Sequence, residues 1–212
     1  MTTIIFDFDG TIANTFMPLV QVMNSLAPEF GYPPLSTRDL QRLRNLNGQQ
    51  IARESGLSMW TLARLVRRVR WEMSQQIHAV EIFPGLETVL RHLARSPQLR
   101  LGIITSNSTA NVHTFLSQHH LQDEFGFVWS EPSLFGKSRV IRRACRQYHL
   151  DLSRVIYVGD ETRDLDAARQ VPVQAIAVGW GFNTPDVLRK HWPDALASTP
   201  DELATIIHQI RV

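Results

Sequence analysis

The sequence predicts an α/β protein: a doubly wound parallel sheet, interrupted after its first strand by an inserted all-helical segment. Three observations carry that expectation. From residue 83 onward, short apolar runs alternate with amphipathic helical stretches, as a parallel sheet covered on both faces requires. One more apolar run, Thr3 to Phe6, opens the chain. Between them, from Ala13 to about Val80, apolar residues recur only at helical spacing.

The first run is β-branched and aromatic, which suits a strand buried on both faces. Met17, Val20, Met23, Leu26, Ala27 and Phe30 mark an amphipathic helix that Gly31-Tyr32-Pro33-Pro34 closes. Ser36 or Thr37 caps a second helix through Leu40 and Leu43, and Asn47-Gly48 breaks its pattern. A short third helix runs to about Ser55-Gly56, and a fourth, capped by Ser58, reaches Ile77. After Phe83-Pro84-Gly85 come a helix at 86–94, a strand at 101–104, a helix at 108–118 and a strand at 125–129. A helix at 138–148, a strand at 155–158, a helix at 162–169 and a strand at 173–178 follow, before a short strand at 195–197 and a final helix at 201–210. This divides the chain into a core of residues 1–13 and 81–212 and a helical insert of 14–80.

The 212 residues are enough to bury a sizeable core. No apolar window is long enough to span a bilayer, and no signal-peptide pattern opens the chain, so the expectation is a cytoplasmic protein with no membrane partner. A formal net charge of +2 argues against a nucleic-acid partner bound through excess charge. The single cysteine, Cys145, excludes an intramolecular disulfide and fits a buried core thiol. Only two lysines, Lys137 and Lys190, stand among 22 basic residues, which singles out their positions.

In a doubly wound sheet the ligand crevice lies beyond the carboxyl ends of the strands. Asp7 and Asp9 leave the first strand at i, i+2 spacing, which sends both carboxylates to one side. Such a pair either solvates a strand end or needs a hard cation such as Mg²⁺. Thr105-Ser106-Asn107 follows the next strand and offers hydroxyl, amide and backbone donors to an anion. Lys137 opens a helix, a poor place for a cation against the helix dipole and a good one for a phosphate ligand. Asp160 ends a further strand directly, and Asp164, four residues on, also reads as an ordinary helix-capping acid.

Taken together, Asp7-Phe8-Asp9-Gly10-Thr11, Thr105-Ser106-Asn107, Lys137 and Gly159-Asp160 with Asp164 resemble, in order and spacing, the four motifs of the haloacid dehalogenase superfamily. The helical insert resembles the small α-helical cap of its phosphoglycolate-phosphatase-like branch. The resemblance implies a Rossmann-like core and a Mg²⁺-dependent phosphatase acting on a small phosphorylated metabolite through an aspartyl-phosphate. It implies Asp7 as nucleophile and Asp9 as the acid and then the base. Mg²⁺ would be held by Asp7, the Asp9 carbonyl and Asp160, with Asp164 orienting the ion's water ligands or Lys137. Thr105, Ser106, Asn107 and Lys137 would neutralise the phosphoryl oxygens.

A phosphomutase acting on a sugar phosphate needs the same Asp7 and Asp9. A protein-interaction module would instead use the insert's arginines, Arg38, Arg42, Arg44, Arg53, Arg64, Arg67, Arg68 and Arg70, as a docking face. In an enzyme, one of those arginines would pair with a substrate carboxylate or simply belong to a solvated helix face. The expected assembly is a monomer or homodimer.

Overall fold

Six parallel strands, each ending near one edge of the sheet, form the centre of the computed structural model, which describes residues 1–131 and 136–210. They are β1 (Thr2–Phe6), β2 (Leu99–Thr105), β3 (Val128–Ser130), β4 (Val155–Gly159), β5 (Gln174–Val178) and β6 (Ala195–Ala197). Their order across the sheet is β3-β2-β1-β4-β5-β6. The winding therefore runs outward in one direction from β1 and in the other from β4, and the crevice between these two neighbours is the switch point where such folds bind ligands. Phe6 stands beside Ile103 of β2 on one side and Val158 of β4 on the other.

Apolar residues alternate sides along each strand, and helices cover both. On one face Ile4, Phe6, Leu101 and Ile103 pack with residues of α5 (Leu86–Ala94), α6 (Thr109–Gln118) and α10 (Pro200–Ile210). On the other, Ile5, Ile104 and Tyr157 pack with α7 (Lys137–Gln147) and α8 (Thr162–Gln170). Cys145 belongs to this second cluster and is buried, as its helical apolar setting predicted.

Between β1 and α5 lie α1 (Phe16–Phe30), α2 (Thr37–Leu43), α3 (Gly48–Glu54) and α4 (Met59–Gln75). α1 and α4 pack around a separate small cluster of Val22, Leu26, Phe30 and Leu65. The helix ends carry local signals, and Asn47, read as breaking the second helix, opens the third. Gly31 ends α1 in the left-handed conformation, whereas capping boxes at Ser36 and Asn47 open α2 and α3. The two connections to the sheet run side by side: Asn14 N–H donates to Glu81 O at 2.9 Å, and Ala13 bridges to Ile82.

Three differences from the sequence reading are informative. β3 is shorter and later than 125–129, because a 3₁₀ turn at Gln122–Glu124 leads into Phe125 and Phe127, which serve as buried packing groups. The last turn predicted for α4 is a separate 3₁₀ turn, Ile77–Ala79. A five-residue helix, α9 (Pro185–Arg189), was not foreseen, although Thr184 followed by Pro185 is a recognisable helix start.

Candidate active site

The polarity change after Phe6 places Asp7 at the switch point. Its N–H donates to Val158 O at 2.8 Å, tying the residue to β4 as well as β1. Phe8 turns the other way and is fully buried, edge-on to Phe115 with centroids 5.1 Å apart. The chain then reverses: the N–H groups of Thr11 and Ile12 both donate to Phe8 O, and Gly10 takes a φ of 79°.

Around this turn the structure brings together residues from four strand ends. The Asp7 carboxylate accepts from Phe8 N–H at 2.9 Å and from Lys137 Nζ at 2.7 Å. Lys137 also bonds Asp164. Asp160 accepts from the Thr11 hydroxyl at 2.7 Å and from Phe182 N–H at 2.7 Å. Carboxylate oxygens of Asp7, Asp160 and Asp164 all lie within 4.8 Å of one another, and all three residues are buried. A buried set of three hard oxygen donors fits a cation of the Mg²⁺ or Ca²⁺ type.

The packing around Asp160 is close. A Cβ at Gly10 would lie 2.2 Å from Asp160 Oδ2, and one at Gly181 would lie 2.3 Å from Asp160 Cβ. Only glycine lets the two loops close over that carboxylate.

The Asp9 carboxylate is not part of the triad and instead accepts from Asn107 Nδ2 at 3.1 and 3.3 Å. Thr105 ends β2, and its hydroxyl accepts the Asn107 N–H at 3.0 Å, so the loop is set by its own side chains. Thr105 and Ser106 line a small cavity with Glu131, Lys137 and Arg163.

Electrostatics follow from crowding acids out of water. Burial raises the Asp9 carboxyl to about 6, with Asp7 adding to it and the Asn107 and Thr15 hydrogen bonds opposing it. Burial also raises Asp160 well above the usual range, reinforced by Glu161, Asp164 and Asp7. It raises Asp164 to about 6 against the pull of Lys137. Burial alone would lower the Lys137 ammonium, but Asp164 and Asp7 outweigh it and hold it well above its ordinary value.

Arg163 went unread in the sequence, whereas Trp180, after the fifth strand, reads either as lining the crevice between insert and core or as packing. Arg163 lines the cavity, pairs with Glu161 at 2.6 Å, and has a buried Nε without a partner among the described residues. Its signal was its place between Asp160 and Asp164. Trp180 donates to Thr11 O at 3.0 Å, so it secures the Asp9–Thr11 turn while packing against Phe83.

The family profile of haloacid dehalogenase-like hydrolases matches residues 4–178, most of the chain. The chain belongs to that family. A phosphoglycolate phosphatase of Synechococcus elongatus is 40% identical over 210 residues, covering 99% of both chains. An N-acetylmuramic acid 6-phosphate phosphatase of Pseudomonas aeruginosa is 23% identical over 224 residues, covering 98% of this chain and 95% of its own. Among solved structures, a predicted phosphatase from Clostridium acetobutylicum superposes with a TM-score of 0.85 at 19% identity, covering 98% of each chain, a likeness of fold. Among the described residues of this haloacid dehalogenase-like hydrolase, no helix is long and apolar enough to cross a membrane.

Proposed function

We propose that the chain is a phosphatase that hydrolyses a small phosphate monoester, phosphoglycolate or an ester resembling it, with Asp7 as nucleophile. The observation that carries this reading is the placement of the Asp7 carboxylate at the switch point, bonded to Lys137 and within 4.8 Å of two further buried carboxylates. An isolated buried acid has no such company. In the first step an Asp7 oxygen bonds to phosphorus, the ester P–O bond breaks, and the leaving oxygen takes a proton from Asp9. In the second, water gives its proton to Asp9 and attacks phosphorus, the bond to Asp7 breaks, and inorganic phosphate leaves. A carboxyl raised to about 6 suits a group that must both give and take a proton.

Lys137, Thr105 and Ser106 receive the phosphoryl oxygens, and Asn107 orients Asp9. Asp7, Asp160 and the Asp9 carbonyl, with Asp164 adding charge beside them, would hold Mg²⁺, which would offset repulsion between an anionic ester and an anionic nucleophile. The helical insert of residues 14–80 acts as a cap over this crevice.

Arg163 bears on substrate class. It places a second cation at the cavity shared by Lys137 and Ser106, which suits an ester carrying a second anionic group such as a carboxylate. The phosphoglycolate phosphatase similarity points the same way.

The test is phosphate release with Mg²⁺ from 2-phosphoglycolate, a sugar phosphate, a nucleoside monophosphate and p-nitrophenyl phosphate, with Asp7→Asn run alongside. Turnover of 2-phosphoglycolate that EDTA silences, Mg²⁺ restores and Asp7→Asn abolishes is expected. Turnover at the wild-type rate by a folded Asp7→Asn protein removes Asp7 as nucleophile.

A further inference from the structure

The loop at 181–184 is held from two sides. On its inner side, Phe182 N–H donates to Asp160 Oδ2 at 2.7 Å, Asn183 N–H donates to Asp160 O at 3.3 Å, and Asn183 Oδ1 accepts from Thr162 N–H at 3.0 Å. Its outer side is held by the turn that follows α2. Arg44 Nε donates to Phe182 O at 3.1 Å and its Nη2 donates to Gly181 O at 2.9 Å.

Backbone contacts repeat the connection. Thr184 N–H and Asn183 Nδ2 both donate to Arg44 O, at 3.1 and 3.0 Å, and Asn183 Nδ2 also donates to Leu46 O at 3.1 Å. The Thr184 hydroxyl donates to Asn45 Oδ1 at 2.8 Å. The Arg44 guanidinium lies 5.4 Å from the Phe16 ring centroid, and Phe16 packs edge-on to Phe182 at 5.5 Å.

An arginine fork spent on two carbonyls of a loop 137 residues away, next to the loop's hold on a buried acid's Oδ2, does more than solvate a helix end. Asn183 is 4% exposed and joins three segments: the α2–α3 turn, its own loop and the start of α8. We propose that Arg44 and Asn183 are positioning residues that hold the metal ligand Asp160 in place from the helical insert. The position of the insert and the affinity of the metal site are then coupled. This rests on the reading of Asp160 as a metal ligand. The coupling is reciprocal: whatever draws the insert onto the loop tightens the ion site, and a bound ion tightens the latch.

Outer partners of metal ligands are commonly worth 10–100-fold in metal affinity, and Arg44 acts one bond further out. The experiment is calorimetric titration of Mg²⁺ into the EDTA-treated full chain, for wild type, Arg44→Ala, Arg44→Lys, Arg42→Ala and Asp160→Asn. Arg44→Ala is expected to weaken Mg²⁺ binding about tenfold. Arg44→Lys falls between it and wild type, because one ammonium cannot reproduce the fork. Arg42→Ala, which removes an exposed pair with Glu54, leaves binding unchanged.

Amide exchange on the wild-type chain gives a second, mutation-free reading. Mg²⁺ should slow exchange at Thr184, whose acceptor is the Arg44 carbonyl. Wild-type Mg²⁺ affinity in Arg44→Ala, or unchanged Thr184 exchange, overturns the latch when Asp160→Asn has lost the ion. Undiminished Mg²⁺ binding in Asp160→Asn overturns the metal-site reading itself, and the latch with it.

Discussion

Replacing Lys137 by alanine removes an ammonium that bonds both Asp7 and Asp164. The lysine side chain is 14% exposed and the two acids 4% and 0%, so water cannot take its place without opening the site. Breaking a buried ion pair from one side costs roughly 3–5 kcal/mol, since the remaining charge stays buried without compensation. Two carboxylates lose their cation here, which favours the upper part of that range. The loss is large against a total stability of about 5–15 kcal/mol. It also depends on pH. An acid that holds its proton more tightly folded than unfolded takes stability away as pH rises from about 4, its unfolded value, through its folded value. Burial already raises Asp164 to about 6, and without Lys137 the opposing pull is gone. The deficit of Lys137→Ala should therefore be greatest near pH 8 and shrink near pH 5, where Asp164 is protonated. Urea denaturation in EDTA, followed by tryptophan fluorescence at both pH values, measures it, with Lys137→Met as a better-filled second variant. A deficit below about 1 kcal/mol near pH 8, or one equal at both pH values, refutes the argument that Lys137 is the acids' compensating charge.

Gly181→Ala places a Cβ 2.3 Å from Asp160 Cβ; it should lower stability by roughly 1–3 kcal/mol and weaken Mg²⁺ binding, and wild-type calorimetry would show that the loops do not close that tightly. Cys145 is 2% exposed and burial raises its thiol to about 11, so a thiol reagent near pH 8 should leave the native chain untouched and label it only in concentrated urea. Arg163→Met should raise KM for carboxylated esters by on the order of tenfold or more while sparing p-nitrophenyl phosphate, and an equal effect on both would remove Arg163 from substrate selection.

The strand ends were legible because their signal is local. An apolar run such as Ile4–Phe6 that stops at Asp7 announces both the strand and the direction of its last side chains. Lys137 was legible through its rarity and its place at a helix start, and it sits on Asp7 and Asp164. Asp164 had two readings, and its contacts touch on each: it accepts Glu161 N–H at 3.0 Å as a capping group and also bonds Lys137. Arg44 was one of eight arginines in the insert, and nothing in its neighbourhood distinguished it from Arg42. Its partners, Gly181 and Phe182, lie far along the chain, and contacts of that kind leave no local pattern. Arg163 was passed over because the acids on either side drew attention, although the same turn that presents Asp160 and Asp164 carries it to the cavity.

The charge balance of the site explains why so many of its acids are raised together. Asp7, Asp9, Asp160, Glu161 and Asp164 converge on a region whose nearest cations are Lys137 and Arg163. Burial penalises the charged forms of Asp9, Asp160 and Asp164, and neighbouring acids add to the penalty, so all three hold their protons more tightly than a free carboxyl does. A divalent cation relieves it better, since its charge nearly offsets the surplus without protonating the oxygens that bind it. An incoming phosphate dianion then restores the excess, which the cation, Lys137 and Arg163 must share. Protons and a divalent cation would then compete for the Asp160 oxygens, and cation affinity should rise with pH.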